Sequence, residues 1–170
     1  MTIFICGFMG CGKSALGKVL SQKLGLQNID TDEYIVEKYQ MSIPEIFEKF
    51  GENTFRKYET EAVKEITGKN AIVSCGGGLM QSDENSRLAK LNGGIIVFLD
   101  QTFEICYERI KGDKNRPLVV NNTKEQLHKI YNKRSEIYKQ NSTIELIPGD
   151  TPEQSAEKLI KLLDSKGLLK

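Results

Sequence analysis

The chain alternates short, nearly continuous apolar runs with longer stretches in which apolar positions recur three and four apart. Thr2-Ile3-Phe4-Ile5-Cys6, Ala71-Ile72-Val73 and Gly94 to Leu99 have strand length and almost no polar alternation, so they predict strands buried on both faces. Thr143 to Ile147 and the weaker Gln27 to Ile29 add two extended segments. Between them the period changes. Leu16, Val19, Leu20 and Leu24 predict a helix ended by Gly25, and Glu33 to Tyr39 predicts another. Ser42-Ile43-Pro44-Glu45 is a capped helix start ahead of Ile46, Phe47 and Phe50. A helix from about Glu52 to Thr67 turns Phe55, Tyr58, Ala62, Val63 and Ile66 inward and stops at Gly68. Ser82 to Leu91, Thr102 to Ile110, Lys124 to Lys139 and Pro152 to Leu163 complete the helices. Lys111 to Thr123 breaks the rhythm: it is polar, carries Gly and Asn breaks and Arg116-Pro117, and reads as a mobile loop. Strands separated by helices predict an α/β fold whose parallel sheet is covered on both faces.

Length narrows this to one domain, residues 1–170, large enough for a proper core. The net charge of +1, from 24 basic and 23 acidic residues, offers no field for nucleic acid or a membrane surface, so any basic cluster is a local site. The apolar runs are too short to span a bilayer and the N-terminus lacks signal-peptide character, which predicts a cytoplasmic protein. A monomer is the expected state. Cys6, Cys11, Cys75 and Cys106 show no Cys-x-x-Cys spacing, and His128 is the sole histidine, so reduced thiols are expected rather than a zinc site or a disulfide frame.

The first strand runs into Gly7-Phe8-Met9-Gly10-Cys11-Gly12-Lys13-Ser14, which fits the phosphate-binding loop pattern of Gly, four residues, Gly, Lys and Ser or Thr. Glycines let the backbone turn N–H groups toward phosphate, and a helix beginning near Lys13 adds its positive end. Lys13 is expected to reach the β- and γ-phosphates and the Ser14 hydroxyl to ligate Mg²⁺. Gly10, Cys11, Gly12, Lys13, Ser14 and Ala15 form the candidate nucleotide-binding set.

Phosphoryl transfer also needs a carboxylate near the metal, commonly an Asp that ends a neighbouring apolar strand. Ile95 to Leu99 followed by Asp100 matches that pattern better than Asp30 and Asp32, which end a weaker strand. Asp30 and Asp32, however, lie two residues apart, so one can stand beside the metal and the other beside an acceptor hydroxyl. Asp30 and Asp32 are therefore favoured, with Asp100 as competitor. Thr31 or Asp32 can also cap the helix that follows.

A small anionic substrate calls for fixed positive charge, and guanidinium groups grip a carboxylate with two prongs. The arginines are Arg56, Arg87, Arg109, Arg116 and Arg134. Arg56 has Glu59 within a turn to orient it, Arg116 precedes Pro117, and Arg134 lies within Asn132 to Tyr138. A second glycine segment, Gly76-Gly77-Gly78, follows the third strand.

Together these stretches closely resemble the shikimate kinase family over nearly the whole chain. The matching stretches are the phosphate loop, Asp30-Thr31-Asp32, Ser42 to Phe47 with Gly51-Glu52 and Phe55-Arg56, Gly76-Gly77-Gly78, Arg116-Pro117-Leu118, and Arg134 to Tyr138. The resemblance implies a P-loop, nucleoside-monophosphate-kinase-like, three-layer α/β/α fold with a five-stranded parallel sheet. It implies ATP-dependent phosphorylation of the 3-hydroxyl of shikimate on the route to chorismate. By the same resemblance Asp30 lies near Mg²⁺, Asp32 binds the reacting hydroxyl, and Arg56, Arg134 and the Gly76-Gly77-Gly78 backbone bind shikimate. Arg116 is the lid arginine over the ATP phosphates, with the lid at about 111–123, and Arg109 stacks on adenine. The substrate-binding helical region is about 31–60, where Phe47, Phe55 and Glu59 support the pocket. Cys11 replaces a smaller Ser or Ala; beside Lys13 and a helix start its thiolate could be favoured and open to modification. Two competing classes remain: a kinase of the same fold for gluconate or a nucleoside monophosphate, and a nucleotide switch using Asp100. The chain has no evident Asn-Lys-x-Asp guanine-reading segment.

Overall fold

A computed structural model describes residues 1–169. Five parallel strands form one sheet in the order β2-β3-β1-β4-β5, with β1 at Thr2–Cys6, β2 at Gln27–Asp30, β3 at Ala71–Ser74, β4 at Gly94–Leu99 and β5 at Ile144–Leu146. β1 is buried at every position because its two faces feed two cores. Phe4 and Cys6 join Val73, Ile96 and Phe98 on one face, whereas Ile3 and Ile5 join Ile72, Val97 and Leu99 on the other. This two-sided burial is why the strand runs lack polar alternation.

Helix α1 (Lys13–Leu24) and helix α8 (Pro152–Ser165) cover the Ile3 face. α3 (Ile43–Ile66), α4 (Asp83–Leu91) and α7 (Lys124–Asn141) cover the Phe4 face. The chain leaves β1 toward one face and β3, its neighbour, toward the other. Their following loops diverge, opening a crevice at the carboxyl ends of the strands.

Local chemistry sets most helix ends. Ser42 and Glu45 form a capping box at the start of α3, and Gly25 closes α1 in the left-handed region at φ 65. The two helices expected on either side of Gly51 run as one element kinked there, at φ 79 and ψ 170, a conformation glycine permits. α2 (Thr31–Tyr39) is capped by neither Thr31 nor Asp32: the Asp30 carboxylate accepts from the N–H groups of Asp32 and Glu33. α5 (Phe103–Ile110) follows β4. The polar stretch 111–123 is not irregular throughout, since Pro117 starts the short helix α6 (Pro117–Val120).

Candidate active site

The crevice is a cleft of about 1320 Å³ bordered by the phosphate loop, Asp30, Asp32 and the Gly76-Gly77-Gly78 segment. Arg56, Arg109, Arg116 and Arg134 also border it, from helices or turns on both sides. Gly7, Gly10 and Gly12 have φ of 150, 79 and 104, a region that side chains disfavour, so the loop can take this path only with glycine. Gly12 caps α1 without any side-chain acceptor, which leaves the first N–H groups of the helix for an anion. Lys13 Nζ donates to Gly7 O at 3.0 Å and Phe8 O at 3.1 Å, folding over the loop it serves. Arg109 Nη1 donates to Gly10 O at 2.9 Å, which holds that guanidinium against the same loop.

The triple glycine has a different reason. A Cβ at Gly76 would collide with the Asp32 carboxylate, and one at Gly78 with the Arg56 guanidinium. One at Gly77 would stand 3.4 Å from Arg134 Nη1. At Gly76 and Gly78 the missing side chain lets a charged group from another element lie against the backbone. Arg56 is further held by Glu59 at 2.7 Å and Glu52 at 3.1 Å; Glu59 is only 1% exposed. Tyr138, with no role expected from the sequence, donates to Gly77 O at 2.5 Å.

Asp100 does not border this cleft. Its backbone N–H pairs with Leu146 O, and its side chain lies with Glu145, whose charge adds to burial in raising its pKa. Cys11 borders the cleft but is 2% exposed, with Sγ packed beneath Gly7, so the structure does not present the open thiol anticipated for it. Burial pushes Cys6 and Cys106 up to about 12 and Cys75 well up, keeping these thiols protonated. Pro148 to Thr151, after β5, and Pro152, which opens α8, also border the cleft, a placement with no sign in the sequence.

A family model described as shikimate kinase matches residues 9–164. The chain belongs to the shikimate kinase family. The shikimate kinase of Thermodesulfovibrio yellowstonii is 40% identical over 161 residues, covering 94% of this chain and 92% of that protein. Among solved structures, shikimate kinase from Acinetobacter baumannii in complex with shikimate superposes with a TM-score of 0.87 at 34% identity, covering 99% of this chain and 95% of that one. The Aquifex aeolicus shikimate kinase gives a TM-score of 0.86 at 36% identity, covering 99% of each chain. Membership makes the protein a kinase of an alcohol acceptor with ATP as co-substrate.

The electrostatics suit a kinase of this family. Burial, followed by the charge of Asp30, raises the Asp32 pKa; Lys13, Arg56 and Arg116 pull against that rise without cancelling it. A raised carboxylate pKa makes a better proton acceptor near neutral pH. Arg116 directs Nε to Asp113 at 2.8 Å, and among the described residues its two terminal nitrogens meet no protein acceptor. Burial likewise raises Glu59, opposed by Arg56.

Proposed function

We propose that the protein transfers the γ-phosphoryl group of ATP to the 3-hydroxyl of shikimate, giving shikimate 3-phosphate and ADP on the route to chorismate and the aromatic amino acids. One observation carries this reading: a single cleft joins the phosphate loop to Asp32, Arg56, Arg134 and a glycine segment stripped of side chains beside them. The acceptor has one carboxylate and several hydroxyls. Arg56 and Arg134 grip the carboxylate, and Asp32 takes the hydrogen bond, and later the proton, of the reacting hydroxyl. Lys13, Arg116 and the loop N–H groups, with Gly10, Cys11, Gly12, Ser14 and Ala15 around the phosphates, bind the charge that spreads over the transferred group. Arg109 lies against the adenine. Because the transition state is loose, orientation and charge stabilisation carry more of the rate than proton removal.

Mg²⁺ fits the donors present. Asp30 uses Oδ1 for its helix cap, which leaves Oδ2 free of that cap, and Asp30 and Ser14 both border the cleft. A hydroxyl and a carboxylate are the sparse oxygen set that Mg²⁺ completes with water and phosphate oxygens. When bound, the ion neutralises phosphate charge. In this reading residues 1–170 act as one monomeric, cytoplasmic kinase domain on small molecules rather than nucleic acid or membrane, with 31–60 binding acceptor and 111–123 closing as the lid. Among the described residues, no helix is long and apolar enough to cross a membrane.

ADP release measured with ATP and Mg²⁺, in the presence of shikimate, gluconate, nucleoside monophosphates or no acceptor, tests the proposal. Release is expected with shikimate alone; equal release with another acceptor, or none with shikimate, refutes it.

A further inference from the structure

The Gly76-Gly77-Gly78 segment is fixed by groups that take no part in the proposed reaction. Gly76 N–H donates to the Thr31 hydroxyl at 2.8 Å, and Gly76 O accepts from Leu79 N at 3.1 Å. Gly78 O accepts from Gln81 N at 3.1 Å. The remaining carbonyl, Gly77 O, is the one that takes the Tyr138 hydroxyl. Among the described residues, Gly77 N–H and Gly78 N–H meet no protein acceptor.

Tyr138 is fully buried and packs on Phe98 with ring centroids 5.7 Å apart. Burial also drives its pKa far above the ordinary range, so the hydroxyl stays a donor. A trans peptide points its carbonyl and the following N–H in opposite directions. With Gly77 O drawn toward a buried ring, Gly78 N–H faces the cleft, beside the Arg56 guanidinium that lies over Gly78. Tyr138 also sits one turn beyond Arg134 on α7, and Arg134 lies against Gly77.

We infer that Tyr138 is a positioning residue for the acceptor: its hydroxyl locks the Gly77–Gly78 peptide so that Gly78 N–H and the guanidinium of Arg134 converge on the carboxylate of shikimate. The inference rests on the proposed reaction and names a residue that acts through the backbone rather than by touching substrate. Without the hydroxyl, a peptide between two glycines is free to turn over, because neither residue resists the flipped conformation.

Tyr138→Phe removes the donor and keeps the ring. The Kd and KM for shikimate are expected to rise about five- to tenfold, while the Kd for ATP and kcat at saturating shikimate stay at wild-type values. 4-Aminophenylalanine incorporated at position 138 restores a donor and recovers the affinity. In the wild-type protein, shikimate should slow exchange of the Gly78 amide proton, a readout that holds even if the Phe variant fails to fold. A lowered melting temperature with unchanged shikimate KM, no recovery by the amino analogue, or an unprotected Gly78 amide overturns the inference. Wild-type turnover measured alongside separates the two claims: absent phosphorylation of shikimate refutes the reaction, whereas normal turnover with an unmoved KM in Tyr138→Phe refutes only the role of Tyr138.

Discussion

Gly78→Ala adds one methyl group where the structure has no room for it. Besides the collision with Arg56 Nη1, the added Cβ would stand 2.8 Å from Cζ and 3.0 Å from Nη2, so the whole guanidinium must move. Glu59 cannot follow, being 1% exposed, and its 2.7 Å bond to Arg56 breaks as the arginine swings toward solvent. Swinging the end of a half-exposed side chain costs little strain; what is lost is the charge-assisted grip on the acceptor. A hydrogen bond to a charged group is worth about 1.5–3 kcal/mol, which corresponds to shikimate binding weaker by roughly 10- to 100-fold. Leaving the buried Glu59 carboxyl without its partner adds about 1–3 kcal/mol of stability loss, or about 2–12 °C in Tm for a chain of this size. Steady-state ADP release with varied shikimate, calorimetric titration of shikimate and of ATP, and a melting curve measure these effects. ATP affinity should be unchanged. Gly112→Ala is the control, because nothing lies within 4 Å of a Cβ there. Wild-type shikimate affinity in Gly78→Ala, or an equal loss in Gly112→Ala, would refute the close-approach reasoning.

Other outcomes follow from the carboxylates. Asp32→Asn should lower kcat by roughly 10²- to 10⁴-fold with ATP binding intact, whereas Asp100→Asn, outside the cleft, should change kcat little; the reverse order would move the reacting carboxylate to β4. Because burial and Asp30 raise the folded-state pKa of Asp32, its stability contribution is present below the unfolded pKa and is lost as pH rises through the folded one. Asp32→Asn should therefore melt above wild type at neutral pH, with the gap closing as pH falls through that folded pKa. For the same cause, the acid limb of kcat/KM should lie above the ordinary carboxylate range. Asp30→Asn, which keeps a helix cap but removes the neighbouring charge, should shift that limb to lower pH; an unmoved limb would assign it to another group.

The strands, the phosphate loop and the Ser42 and Gly25 helix ends were legible in the residue order, because each depends on interactions a few positions apart. Apolar runs buried on both faces, glycines required at positive φ and Ser42 beside Glu45 need no distant partner to be recognised. The competition between Asp30 and Asp100 was different. Strand pattern favoured Asp100, and the fold turns it toward Glu145 on β5, since strand order rather than local sequence decides which strand ends face one another. The three glycines after β3 carried no local sign of what they accommodate. Asp32, Arg134 and Arg56 come from α2, α7 and α3, and chain folding alone brings these to adjacent glycines. Likewise nothing in the residue order placed 148–151 at the cleft or gave Tyr138 a partner: β5 puts the first at the carboxyl edge, and the packing of α7 brings the Tyr138 hydroxyl to Gly77 O. Sequence determined the parts that short-range geometry specifies; the tertiary structure decided which separated charges share a buried cleft, because that depends on packing two helical layers against one sheet.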